Sequence, residues 1–337
     1  DVYKRQLMGS IEVEGGLLFP KGPGDCGIKG PRSIADLSPK ISTPRADGVG
    51  EVYKQFDKGP GLFHLFYKAM ATEQPYPVKG IICVRHDPFS CFPDPAAQKE
   101  ALDNCELIVS VDTHYSEFGW YSDVILPEAT YLERESMIAV QKGLKPRLIK
   151  RNKAVEPESD TIDLYSILHG LATRLGLDEY FPFSTMQELW KWQLEPTGRT
   201  LEDFDEKGFV ELTGTPIMYD RDNLDGKFKT PSGKIEFISQ NLTDWGLPSW
   251  KPYESPAKPP KGQFRLVFGR SPIHAHSHTV NNPLLNEMMP ENTLWINSRA
   301  AGKMGVSDGD MVDVSSNGAT SVVKARVTDF IHPEAVY

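Results

Sequence analysis

Cysteine is scarce: Cys26, Cys83, Cys91 and Cys105 are the four in 337 residues, without a C-x-x-C pair or zinc-finger spacing. That argues against a cysteine-ligated cluster built within this chain and against a disulfide framework, and leaves core or loop thiols. Long apolar runs are also missing. No stretch of 18 or more apolar residues occurs, which excludes a membrane-spanning helix, and no charged-then-apolar leader is present. Positive charge is in deficit, with a net charge of -9, so any anion must be gripped by local donors rather than drawn by the average field. No G-x-G-x-x-G and no G-x-x-x-x-G-K-[ST] accompanies the strand-end acid Asp112. A simple dinucleotide fingerprint and a P-loop are thereby set aside there.

What is present reads as a folded chain of about two domains, with 39% hydrophobic and 25% charged residues. Residues 15–60 are rich in Gly, Pro, Lys and Asp and carry neither a period of 2 nor one of 3.6, so they read as a long irregular segment. Regular structure opens with an amphipathic helix over 62–71, followed by the apolar run Gly80-Ile81-Ile82-Cys83-Val84, a buried strand. Pro95 opens a helix running to Cys105, and Leu107-Ile108-Val109-Ser110-Val111 is a second apolar strand ending at Asp112. This β-α-β rhythm predicts a parallel sheet whose ligands sit beyond the strands' carboxyl ends, at His86-Asp87-Pro88 and Asp112-Thr113.

A third strand, Val124-Ile125-Leu126, leads into Pro127, and apolar residues at 164, 167, 168, 171, 172 and 175 form a helical stripe closed by Gly176. Four prolines between Lys251 and Gly262 mark a linker. Beyond it the runs 265–268, 293–296, 311–314 and 321–327 predict short strands of a small barrel. The chain stops inside what reads as an extended segment, and the whole reads as an internal fragment.

Two places carry candidate chemistry. Asp112, at a strand end, can accept hydrogen bonds from ribose hydroxyls or a purine edge, or can cap the loop that follows. The segment from Gly269 to Thr279 supplies Arg270, Ser277, Thr279 and three histidines right after a strand, a donor set suited to pyrophosphate. The competing reading is a zinc hydrolase site, because His274, His276 and His278 alternate along what would be an extended chain and so share one face. Exposed loop histidines are the third possibility.

The run Val111-Asp112-Thr113 through Ser122-Asp123-Val124-Ile125-Leu126-Pro127-Glu128-Ala129-Thr130-Tyr131-Leu132-Glu133-Arg134 resembles the molybdopterin oxidoreductase superfamily, dimethyl sulfoxide reductase type. Gly9 with Gly15-Gly16, His86-Asp87-Pro88 in place of an Asn-Pro loop, Gly269-Arg270 with His274 to Thr279, and Asp308-Gly309-Asp310-Met311-Val312 extend the resemblance over nearly the whole chain. Within the superfamily it is most similar to thiosulfate and polysulfide reductase catalytic subunits, with tetrathionate and arsenate reductases as rivals.

The resemblance implies a Rossmann-like α/β domain over 1–250, a linker over 251–262, and a truncated double-psi β-barrel, the dinucleotide-binding domain, over 263–337. It implies a molybdenum ion on two molybdopterin guanine dinucleotides, held here by Asp87, Asp112, Arg134, Asp163, Gly269, Arg270, His274, His276, Ser277 and Thr279. Asp112, Arg134 and Asp163 fall at positions implied to read guanosine. The family's N-terminal cysteine motif for a [4Fe-4S] cluster and its metal-ligating residue have no counterpart here, so no catalytic residue is named and the fragment alone is expected to be inactive. Asp87 departs from the family's Asn, and a carboxylate there would repel a phosphate. Implied partners are an iron–sulfur electron-transfer subunit, a membrane anchor subunit and a small inorganic substrate, at a periplasmic or other extracytoplasmic membrane face. The alternative is a scaffold subunit with the same fold that binds a nucleotide or passes electrons without catalysis.

Overall fold

The structure is a computed structural model that describes residues 2–19, 27–30, 37, 42–56, 61–141, 145–204, 207–212, 218–224, 228–276 and 278–337. It splits into two compact units, Asp1–Lys251 and Pro252–Tyr337. Each is described by itself.

The first unit opens with a short helix, Val2–Leu7 (α1), and a turn at Gly15-Gly16. A Cβ at Gly16 would lie 2.5 Å from the Ser10 carbonyl oxygen, so the backbone passes too close for any side chain. Phe63–Thr72 (α2) is the expected amphipathic helix, and it buries Tyr67, Ala69 and Met70. Gly80–Val84 (β1) follows, then Pro88–Cys91 (α3) and Pro95–Leu102 (α4), each with proline in the first turn, where the missing N–H costs nothing. The α4 helix stops at Leu102 rather than reaching Cys105, and Asp103 and Asn104 make the turn that lets the chain enter β2.

Leu107–Asp112 (β2), Glu117–Tyr121 (α5) and Val124–Pro127 (β3) complete a parallel sheet in the order β1-β2-β3, with Ile82 beside Val109 and Val109 beside Val124. Its core packs Met70, Cys83, Leu102, Ile108 and Phe118 between sheet and helices. At about 25 cal/mol per Å², burial of side chains this large is what holds so short a sheet together.

The sequence reading did not anticipate the next layer. Ser136–Gln141 (β4), Arg147–Arg151 (β5) and Phe209–Glu211 (β6) form an antiparallel sheet in the order β4-β5-β6. Between its second and third strands come Leu164–Arg174 (α6) and Met186–Leu194 (α7). Trp190 and Leu194 of α7 pack on Ile138, Leu148 and Val210 of this sheet. The buried amide of Gln193 joins helix to strand, accepting from the Ile138 N–H at 2.9 Å and donating to the carbonyls of Ile138 and Lys29. Gln240–Asp244 (α8) is the last helix of the unit.

In the second unit, residues 252–260 have no regular structure. Arg265–Leu266 (β7), Pro283–Met288 (α9), Thr293–Asn297 (β8), Ser298–Met304 (α10), Met311–Ser316 (β9), Ala319–Thr328 (β10) and Ala335–Val336 (β11) follow. The sheet order is β7-β11-β8-β10-β9. Ile296, Ala300, Ala301, Ala325 and Val336 form its core. The expected truncated barrel takes the form of a curled half-barrel: among the described residues the end strands β7 and β9 do not pair with each other.

Candidate functional site

Parallel strands end together, so the residues just past β1, β2 and β3 gather along one edge. Arg85 follows β1 in the left-handed region, at φ 51°, pinned there because its N–H donates to the Val111 carbonyl of β2 at 2.8 Å. Asp112 ends β2, and its Oδ1 accepts from the Thr113 N–H at 2.7 Å. Glu128 follows β3, and its N–H donates to the Asp112 carbonyl at 2.9 Å. The Glu128 side chain is fully buried. Its two oxygens take the Arg85 guanidinium from Nε and Nη2, a forked pair, while Arg134 Nε stands 3.6 Å from Oε1.

Arg134 comes from the loop after β3. Its Nη1 donates to Ser136 Oγ at 3.2 Å, and Arg151, cross-strand from Ser136, donates to the same hydroxyl. Burial, with the neighbouring guanidiniums of Arg85 and Arg151, pushes the Arg134 pKa below its usual value against the pull of Glu128 and Asp163. The hydrogen bonds that Arg85 donates to Glu128 raise the pKa of Arg85. Beneath the edge, burial pushes the Cys83 thiol up to about 12, helped by the charges of Asp112 and Asp87, so it is an inert core thiol.

Arg134 also lines a pocket of about 480 Å³ with Glu135, Lys153, Thr161, Asp163 and Gln187. The Thr161 hydroxyl is buried in that wall without a protein partner among the described residues. Asp163 caps α6, accepting from the Ser166 N–H at 3.0 Å and its hydroxyl at 2.6 Å. A carboxylate has about four acceptor positions, so capping leaves it capacity toward the pocket. Asp87 caps α3, accepting from the Phe89 N–H, the Ser90 hydroxyl and the Glu117 N–H at 3.0–3.2 Å. It ties the loop after β1 to α5.

The structure thus brings Asp112, Arg134 and Asp163 to one edge and its adjoining pocket. Sequence reasoning missed Arg85, Glu128 and Thr161. A Glu after Leu-Pro reads as a helix-start acid, and only tertiary burial distinguishes it from one.

The remaining candidates lie in the second unit. Gly269 and Arg270 are exposed after β7, and a Cβ on Gly269 would sit 2.9 Å from the Tyr337 hydroxyl. Gly269 and Ser271 line a concavity of about 1180 Å³ on the curled sheet. His274 is half-buried, with Nδ1 3.2 Å from the Thr279 hydroxyl and Nε2 3.3 Å from the Met289 carbonyl oxygen. His276 and His278 are exposed, and Ser277 lies outside the described residues.

The zinc reading required an extended chain, and the structure corrects it. His276 adopts φ 55° and the segment turns; the His276 and His278 rings are 6.5 Å apart, while His274 is engaged with Thr279 and the Met289 carbonyl. Among the described residues no group of three or more His, Cys, Asp or Glu is placed to hold a metal ion.

Residues 61–174 match the family model for molybdopterin oxidoreductase, and residues 264–337 match that for the molydopterin dinucleotide binding domain. The chain belongs to the molybdopterin oxidoreductase family. It is 29% identical to the molybdopterin-containing subunit of thiosulfate reductase, PhsA, of Salmonella typhimurium, over 98% of this chain and 48% of that relative. It is 28% identical to the dimethyl sulfoxide reductase DmsA of Escherichia coli, over 69% of this chain and 32% of the relative. It is also 28% identical to the acetylene hydratase of Syntrophotalea acetylenica, over 56% of this chain and 26% of the relative. The chain therefore spans about half or less of the length of these relatives. A solved structure of acetylene hydratase from Pelobacter acetylenicus shares the fold, with a TM-score of 0.67 at 23% identity over 80% of this chain and 38% of that one. The family's two matched regions cover the parallel sheet with its edge residues and the half-barrel.

The donor set suits a molybdopterin dinucleotide. Two guanidiniums stand at the strand-end edge with a carboxylate beside them, and the Thr161 hydroxyl in the pocket wall has no protein partner among the described residues, groups of the kind that phosphate oxygens and a purine edge can engage.

Proposed function

We propose that the chain is the dinucleotide-binding part of a molybdenum bis(molybdopterin guanine dinucleotide) oxidoreductase that reduces thiosulfate, polysulfide or a related oxyanion in anaerobic respiration. The observation that carries the reading is the edge where Asp112, Glu128, Arg85 and Arg134 meet within the matched family region. Asp112 would accept the amino and ring N–H of guanine, a pair of donors that adenine does not present. Arg134 and Asp163 would border the same nucleoside, and Asp87 would order the loop after β1. In the half-barrel, Gly269 would allow close approach, Arg270, Ser277 and Thr279 would donate to pyrophosphate, and His274 and His276 would line the cofactor face. When bound, the cofactor supplies a two-electron redox centre for transfer of an oxygen or sulfur atom. The reading also expects a [4Fe-4S] cluster and the metal-ligating residue on other parts of the enzyme. It expects an iron–sulfur electron-transfer subunit and a membrane anchor as partners at an extracytoplasmic face. No helix among the described residues is long and apolar enough to cross a membrane.

The test is to express the chain with the cofactor-assembly machinery and measure pterin, guanine and molybdenum released on denaturation. Guanine and pterin in fixed ratio to protein support the reading, and their absence overturns it. A second reading, hydration on the same frame, is favoured by the likeness to acetylene hydratase in sequence and fold. Assays of the full enzyme with a reduced viologen and thiosulfate, and separately with acetylene, separate the two.

A further inference from the structure

The sealed carboxylate of Glu128 has no solvent contact, yet it stands between two guanidiniums with different exposures, 39% for Arg85 and 15% for Arg134. Its oxygens are divided unequally. Arg85 takes both in a fork, and Arg134 approaches Oε1 alone. Two positive groups so close repel each other, and in a half-buried setting that repulsion is screened little by water. Without the acid between them nothing in the loop after β1 would keep Arg85 turned toward Arg134.

Asp112 and Asp163 also face these guanidiniums, Asp112 toward Arg85 and Asp163 toward Arg134. Arg151 shares the Ser136 hydroxyl with Arg134, and its buried Nε has no acceptor among the described residues. Such a buried N–H, on a guanidinium that holds the hydroxyl Arg134 also uses, is a donor that an anion can satisfy.

We propose that Glu128 is a positioning residue, whose buried carboxylate sets the guanidiniums of Arg85 and Arg134 side by side to receive the phosphate oxygens of a purine nucleotide. This rests on the dinucleotide-binding reading above and adds to it the group that builds the receptor. Glu128 does not touch the ligand. Its backbone supports the role, because its N–H is held by the Asp112 carbonyl and its strand-like pairing with Ile162 fixes the approach from the far side. The acid thus couples the strand that ends at Asp112 to the arginines beside it.

The test turns on sign. If Glu128 acted only as a local charge, Glu128→Gln would remove a negative group and tighten anion binding. If it positions the arginines, the same change releases them and weakens binding. Titrations of the full chain with guanosine diphosphate, guanosine and inorganic pyrophosphate separate these. We expect Glu128→Gln to bind guanosine diphosphate about 10-fold more weakly, equal to about 1.4 kcal/mol, with guanosine affinity unchanged. Equal or tighter binding of guanosine diphosphate overturns the proposal, as does a parallel loss of guanosine. If Glu128→Gln does not fold, Arg85→Lys carries the test. It keeps the charge and loses the fork, so weaker guanosine diphosphate binding supports positioning and unchanged binding overturns it. Pyrophosphate that competes with guanosine diphosphate assigns the arginines to the phosphates, and pyrophosphate that does not compete removes them from that role. A wild-type chain that binds none of the three probes overturns the underlying reading as well, and that result is distinct from every variant outcome.

Discussion

The amide of Glu128 donates to the carbonyl of Asp112 at 2.9 Å, so the acid at the end of β2 and the sealed acid after β3 share one strand-end ladder. One carboxylate is half-buried and open to a ligand, while the other is enclosed by arginines. Two acids a few residues from parallel strand ends have different tasks because their surroundings differ.

Asp112 is the first point at which this division can be measured. Asp112→Ala should lower affinity for guanosine diphosphate by about 1 to 3 kcal/mol, the cost of leaving the guanine donors unpaired. Asp112→Asn keeps one acceptor oxygen but places a donor where guanine also donates, so it should recover only part of the loss. Calorimetric titration with guanosine and adenosine diphosphates checks it. A variant that keeps full preference for guanine removes Asp112 from base recognition.

The parallel sheet was legible because its strands are continuous apolar runs, although only β2 is largely buried and Ile82 of β1 is half exposed. Gly80–Val84 and Leu107–Asp112 fall where the sequence reading places them. The β4-β5-β6 sheet was not legible. Arg147, Lys150 and Arg151 lie within a five-residue strand, and the charge obscures a pattern in which only Leu148 is fully buried. The helical stripe ending at Leu175 was found, but of its residues only Ala172 is buried and Leu175 is 70% exposed. Asp112 could be named from its strand, whereas Arg85 and Glu128 could not, since their pairing spans 43 positions and depends on the order of the strands. Asp163 was named for guanosine, and what the geometry displays directly is the cap it makes on α6.

Gln193 should be among the most costly residues to replace outside the edge. Its side chain is completely buried and satisfies three backbone groups, the N–H and carbonyl of Ile138 and the carbonyl of Lys29. Gln193→Leu keeps the approximate volume and leaves those groups unpaired. Urea denaturation should show a loss of about 2 to 5 kcal/mol, since each abandoned buried group costs about 1 to 3 kcal/mol with partial relaxation. A loss below 1 kcal/mol, with order-of-magnitude costs of this kind expected, would mean water reaches the site.

Asp47 gives stability a dependence on acid. Burial alone would raise its pKa, but hydrogen bonds from Arg45 and from the N–H groups of Leu62 and Val49 outweigh it and hold the carboxyl at about 2, against 3.8 for the free group. A folded-state pKa below the unfolded one means stability is fully present above pH 4 to 5 and is lost as pH falls through the window toward 2. The contribution is about 2 kcal/mol. Asp47→Asn should flatten the unfolding free energy between pH 5 and pH 2 by that amount. An unchanged acid limb in the variant would show that other carboxylates govern it.

The loop from Gly269 to Thr279 separates pyrophosphate binding from zinc. His274 is already engaged with Thr279 and the Met289 carbonyl, and the left-handed turn at His276 breaks the extended chain that the zinc reading required. Arg270 is exposed and sits beside Gly269, so its guanidinium can reach a phosphate without displacing a protein partner. Arg270→Ala should therefore lower pyrophosphate affinity several-fold, about 1 kcal/mol for one charge-assisted contact at an exposed position. The unaltered chain should hold less than stoichiometric zinc, and the double variant His274→Ala, His278→Ala should leave that content unchanged. Measuring pterin, pyrophosphate affinity and zinc on the same preparations decides the matter. Stoichiometric zinc that vanishes only in the histidine variant would move the loop to metal binding, because Arg270 has no part in ligating a cation.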